Sequence, residues 1–219
     1  MILSWLRLLS LCLLLLPLWL AGSLAWAQGG IQGLDEGIDY RLIVGAPPYQ
    51  GERPLIADVI NFKCIHCRNL HHPLQEWLEK GAGRYATATL PIAFAGQADT
   101  AVRAYFVAEG LGKGPQMKEA LFQAWFDRQV EIDDPARVTE LAGELGLKKE
   151  RFARFLNDPG ITRQVEQAAR VARESGVHAT PALIINGRYM VSPMDHPEDL
   201  PRFFQVVEQL AAHDRPGRP

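Results

Sequence analysis

Cysteine is scarce in this 219-residue chain, which has only three: Cys12, Cys64 and Cys67. That count excludes a small domain stapled by several bridges, which would carry more cysteines at wide spacings. Basic charge is not in excess either, with 23 Lys and Arg against 25 Asp and Glu, so nothing in the composition suggests a nucleic-acid partner. No internal repeat is visible. Long apolar runs are missing except for Leu8–Leu20, and at about 13 residues that run is shorter than the roughly 20 needed to span a bilayer. Arg7 precedes it and Ala25-Trp26-Ala27 follows, the order expected of a secretory signal peptide cleaved after Ala27. Cys12 would leave with the signal, so the expected mature chain, 28–219, keeps one cysteine pair and is long enough for a sizeable core.

Residues 28–54 are rich in Gly and Pro, with a candidate edge strand at Arg41-Leu42-Ile43-Val44. The first strong element is the β-rich run Leu55–Phe62, which ends just before Cys64. A helix should start at once, because Leu70, Leu74, Trp77 and Leu78 recur at helical spacing until Gly81 and Gly83 stop the pattern. Pro73 inside it predicts a kink. A second strand is expected within Tyr85–Phe94. From 98 to 175 the pattern is helical, with helices expected over 98–109, 115–127, 135–145, 148–157 and 159–175. Asp134-Pro135 and Asp158-Pro159 have the form of helix caps. Strand character returns at Ala182-Leu183-Ile184-Ile185, and Asn186-Gly187 predicts a tight hairpin turn into Arg188–Val191. A last helix over 197–212 precedes a Pro- and Gly-rich tail, 214–219, expected to be disordered. The order implies a small α/β domain into which a helical lobe is inserted.

Residues 62–72 read FKCIHCRNLHH. Covalent haem attachment places a histidine directly after the second cysteine, where this chain has Arg68. Structural zinc takes four ligands, usually from two pairs, and there is no second pair. Copper held by Cys64, Cys67 and His71 is the metal alternative, although His71 and His72 read more simply as solvent-facing residues of an amphipathic helix. The redox reading uses more of the residues. A thiol at a helix start meets free N–H groups and the positive end of the macrodipole, which favour its anion. Cys64 is at that place. His66 offers a positive charge or an N–H donor to the same sulfur, and Cys67 lies within reach of a short disulfide as the buried resolving thiol. Stabilising the thiolate favours the dithiol and makes the disulfide a stronger oxidant.

FKCIHCRNL, the inserted helical block and the late segment GVHATPALIINGRY together resemble the DsbA family of periplasmic thiol:disulfide oxidoreductases. The resemblance implies an α/β fold, a thioredoxin-like domain (28–97 and 176–213) interrupted by an all-helical domain (98–175). It also implies roles: Cys64 as nucleophile, Cys67 as resolving cysteine, Ile65 and His66 as the tuning dipeptide. Pro181 would be a cis-proline, with Thr180 before it presenting backbone groups to a bound peptide, and Asp58 would be a buried acid for proton transfer. No cofactor beyond the Cys64–Cys67 disulfide and no metal are implied. The implied partners are unfolded secreted proteins and a quinone-linked membrane reoxidant resembling DsbB, with the protein acting as a monomer in the periplasm. Two residues depart from the family pattern. Ile65 stands where many members have proline, and the second strand, around Thr89-Leu90, has no lysine to accompany the acid. A dithiol reductase served by a different partner, and a copper- or zinc-binding module, are the alternative functions.

Overall fold

Six consecutive β-prone residues form the strand on which the site is built. In the computed structural model, which describes residues 31–47, 49–196 and 199–213, β2 (Leu55–Ile60) runs between β3 (Ala86–Pro91) and β4 (Ala182–Ile185). The short edge strand β1 (Arg41–Leu42) and β5 (Tyr189–Val191) complete a sheet of order β1-β5-β4-β2-β3. β2 and β3 are parallel, while β4 is antiparallel to β2, β5 to β4 and β1 to β5. A parallel pair needs a crossover, and α1 (Ile65–Lys80) supplies it. Its pattern continues through Pro73 as one helix. At the other end of the sheet, Asn186 and Gly187 both have positive φ, 54° and 66°, as a two-residue hairpin turn with matching twist requires.

The helical block follows β3: α2 (Thr100–Gly110), α3 (Gly114–Phe122), α4 (Pro135–Glu144), α5 (Lys149–Leu156) and α6 (Pro159–Glu174). A π-helical turn over Gln123–Asp127 occupies the end of the expected helix 115–127. Asp134 accepts a hydrogen bond from the Ala136 N–H and Asp158 one from the Gly160 N–H, so both act as caps. After the hairpin comes α7 (Leu200–His213). The expected signal peptide and tail lie outside the described residues.

Because side chains alternate along a strand, β2 serves two layers. Ile56 faces Leu70 and Leu74 of α1 and Phe203, Val206 and Leu210 of α7. Ala57 and Val59 pack on the other face with Ile184, Val177 and Ala172 of α6. Beyond the strand end the pattern feeds a third cluster, where Ile60, Phe62 and Cys67 join Ala104, Met117, Leu121, Phe122 and Phe152 of the helical block. Fully burying a side chain such as Leu121 or Phe122 contributes about 1.5–3 kcal/mol. Cys67 therefore sits in the core that the two parts of the molecule share. The architecture is a thioredoxin-like domain with a helical insertion.

Candidate redox site

The strand-to-helix junction fixes the first sulfur. Asn61 directly follows β2 and is buried, its side-chain N–H groups donating to the Ile92 carbonyl (2.9 Å) and Gln97 Oε1 (2.7 Å), while its own Oδ1 accepts from the Lys63 amide. Its carbonyl accepts from the Cys64 amide at 3.1 Å. Held this way, Cys64 becomes the N-cap of α1, with extended backbone (φ −92°, ψ 116°) and its Sγ accepting from the Cys67 amide at 3.4 Å. Helix caps are usually oxygen-bearing residues; here a sulfur takes the place.

Both cysteines are free thiols, Cys64 half-buried and Cys67 buried. The Cys64 thiol is drawn from an ordinary value of 9.0 down to about 5. The largest cause is the hydrogen bond from the Cys67 thiol; burial opposes it, and the Thr180 side chain with the amides of Cys67 and His66 adds to the lowering. When protonated, Cys64 donates to the Thr180 carbonyl at 3.2 Å, a contact that favours the thiol form and is outweighed. Cys67 moves the opposite way. Burial pushes its thiol up, and the hydrogen bond it gives Cys64 adds to the rise, while the Asn61 amide at 3.5 Å partly offsets it.

Thr180 and Pro181, far away in sequence, close the site through a cis peptide bond. Both are buried, and the Pro181 carbonyl accepts from Ser192 Oγ at 3.2 Å. Ile65 is 45% exposed beside the pair, an apolar side chain turned to solvent next to Cys64. The His66 side chain is exposed as well. Of the two expected contributions, a positive charge or an N–H donor, the structure supplies the donor, from the His66 backbone N–H. The expected solvent-facing pair also divides, because the His71 side chain is only 2% exposed whereas that of His72 is 68% exposed. Burial, and then the nearby Lys118 charge, lower His71 to about 4, so its ring is neutral at neutral pH.

Asp58 is buried on β2, and its counter-charge comes from an unexpected place. Opposite it on β3 stands Thr89, but Lys118 Nζ of α3 reaches Asp58 Oδ2 at 2.6 Å, with both side chains 9% exposed. The lysine missing from the second strand is thus supplied by the helical block. Sequence reasoning overlooked it, although a signal was present: Lys118 lies three and four positions before Leu121 and Phe122, on the buried face of α3. The other Asp58 oxygen is buried without a hydrogen-bond partner.

Cys64–Cys67 and Thr180–Pro181 thus meet at the start of α1, while Asp58 and Lys118 pair between β2 and α3. Among the described residues, the His, Cys, Asp and Glu side chains close enough to share an ion are His71, His72 and Glu119, a group that includes neither cysteine. A cleft of about 1190 Å³ lined by Leu90, Phe106, Arg151, Phe155 and Arg170 also excludes them.

Comparison with known proteins agrees with this geometry. The DsbA of Bordetella parapertussis, a thiol:disulfide interchange protein, is 24% identical over 172 residues, covering 77% of this chain and 82% of its own. The corresponding protein of Burkholderia cepacia is 22% identical over 200 residues, covering 90% and 92%. The fold is shared with crystal structures of DsbA from Xylella fastidiosa (TM-score 0.74, 24% identity, 83% of this chain and 98% of that one) and Pseudomonas aeruginosa (TM-score 0.75, 20% identity, 83% and 95%). The profile of the DSBA-like thioredoxin domain matches residues 63–205, more than half of the sequence, and the chain belongs to that family.

Proposed function

We propose that this protein is a thiol:disulfide oxidoreductase that donates its Cys64–Cys67 disulfide to secreted proteins folding in the periplasm. The observation that carries the reading is the opposed pair of sulfurs, Cys64 held as an anion at the cap of α1 and Cys67 buried as a neutral thiol. A substrate thiolate attacks Cys64 Sγ of the disulfide, forming a mixed disulfide and displacing Cys67 as a thiolate. A buried thiolate is costly, so it takes up a proton, and the family resemblance assigns that transfer to Asp58, the buried acid paired with Lys118. A second substrate thiolate then attacks the substrate's own sulfur of the mixed disulfide and releases Cys64, which leaves readily because its thiolate is stabilised. The substrate gains a disulfide and the protein takes its two electrons.

The same stabilisation sets the direction. At pH 7 a thiol lowered to about 5 favours the dithiol by up to about 2.7 kcal/mol, or about 60 mV for two electrons, less what solvent screening removes at a half-buried sulfur. The cis Thr180–Pro181 segment beside Cys64, with Ile65 exposed next to it, suits an extended peptide held through its backbone. A quinone-linked membrane partner resembling DsbB would restore the disulfide, and secretion through residues 1–27 would place the monomeric protein in the periplasm. Equilibration against glutathione redox buffers tests the reading. A potential close to that of the strongly reducing thioredoxins would refute disulfide donation and point to a reductase.

A further inference from the structure

We propose that His71, His72 and Glu119 form an accessory site for a divalent transition-metal ion of the zinc class, separate from the cysteine pair. Adjacent helical residues ordinarily diverge by about 100°, yet these two imidazoles lie with ring centroids 5.1 Å apart. Glu119 reaches them from α3. Its Oε2 is 2.9 Å from His71 Nε2 and 3.8 Å from His72 Nε2, and one ligand atom from each of the three residues lies within 4.8 Å of the others. Tetrahedral zinc with bonds of about 2.0–2.1 Å separates its ligand atoms by roughly 3.3 Å, inside that range.

A second observation points to a ligand. His71 is buried, but neither of its ring nitrogens has a hydrogen-bond partner, although Nε2 faces the carboxylate at 2.9 Å. An orphaned buried nitrogen costs free energy, and a cation between Nε2 and Oε2 would satisfy both atoms. The surroundings resemble an outer ligand shell. Gln123 donates to the other Glu119 oxygen at 2.5 Å, orienting the carboxylate, and the Phe122 ring packs against His71 with centroids 5.5 Å apart. The opposing charge is Lys118, which neighbours Glu119 but has its ammonium on Asp58 at 2.6 Å. At His71 the charge of Lys118 still outweighs that of Glu119, with Asp58 offsetting only a small part of it, so the ion would be held by its donor atoms rather than by net charge. Two imidazoles and one carboxylate suit zinc, copper or nickel and not magnesium or calcium, and half-exposed Glu119 and exposed His72 leave room for water as a fourth ligand. The ion would clamp α1 to α3, across the join between the sheet and the helical block.

The test is independent of the redox reading. Untagged whole chain is used with Cys64 and Cys67 joined as a disulfide and any other thiol alkylated, so that no sulfur can bind metal. Zn²⁺ is titrated in competition with a chromophoric chelator, and Tm is followed with added Zn²⁺. One equivalent should bind and Tm should rise with Zn²⁺ concentration, with millimolar Mg²⁺ having no effect. His72→Ala, at an exposed position, and Glu119→Gln should each weaken binding more than tenfold, Gln123→Ala by about tenfold, and His178→Ala not at all. No binding by the oxidised protein overturns the proposal, as does equal binding by the His72→Ala and Glu119→Gln variants whose circular dichroism shows them folded.

Discussion

Cys64 and Cys67 are three residues apart and receive opposite treatment from the fold. The first stands outside the helix proper, where amide N–H groups converge on its sulfur and solvent is near. The second is one turn in and lies in the core shared by the sheet and the helical block, with Phe62, Met117 and Phe122. A helix start stabilises an anion and an apolar core rejects one. The difference creates a direction: charge rests on Cys64, and any charge arriving at Cys67 must be discharged with a proton.

Removing either sulfur should break the comparison most severely. Cys64→Ser is expected to abolish oxidation of a reduced test protein, while Cys67→Ser should accumulate mixed disulfides on Cys64, resolved on non-reducing gels. Full activity of Cys64→Ser would show that the roles are assigned wrongly.

Next in size is the buried Asp58–Lys118 ion pair. Lys118→Met strands Asp58 in the core, and breaking a buried pair costs about 3–5 kcal/mol. Denaturant unfolding should register that loss, and adding Asp58→Asn should recover a large part of it. If the double variant is no more stable than the single one, the two residues do not act as a pair.

The acid side of Cys64 gives a smaller and pH-dependent effect. Its folded value lies below its ordinary one, so ionisation stabilises the folded dithiol fully above pH 9, less as the pH falls, and not at all below about pH 5. At pH 7 the contribution is at most about 2.7 kcal/mol before solvent screening. The Tm advantage of reduced over oxidised protein should therefore shrink between pH 7 and pH 4, and the Tm of the Cys64→Ser variant should lack the part of the pH dependence that reduced protein alone shows. A gap that widens on acidification would mean that Cys64 is not the anionic sulfur.

The smallest expected change sharpens the comparison. With its side chain in solvent, His66 acts through its amide, so His66→Ala should alter the potential by only about 10 mV in glutathione equilibration, the scale of a weak exposed charge interaction. A shift several times larger would restore the imidazole as a tuning group.

The local parts of this molecule were legible in the residues themselves. β-rich Leu55–Ile60 followed by Cys64 at a helix start, the Asp134 and Asp158 caps and the Asn186-Gly187 turn each depend on a few neighbouring residues, and short-range sterics and hydrogen bonding settle them. Pro73 does not end α1, because a helix can continue through one missing donor when its apolar face is well packed, as Leu70 and Leu74 pack here. The π-helical turn at Gln123–Asp127 carried no local signature. His71 illustrates a different limit: its amphipathic helix looked half-solvated until α3 covered one face.

Sequence by itself determined where a thiolate would be stabilised, since the Cys67 thiol and the amides of Cys67 and His66 come from the same short stretch of chain as the sulfur. Tertiary structure alone decided what surrounds it. Thr180 comes to Cys64 across 116 positions and Lys118 to Asp58 across 60. Partners so distant are chosen by how the sheet and the helical block pack together, because a buried charge must find a counter-charge wherever the fold brings one within reach.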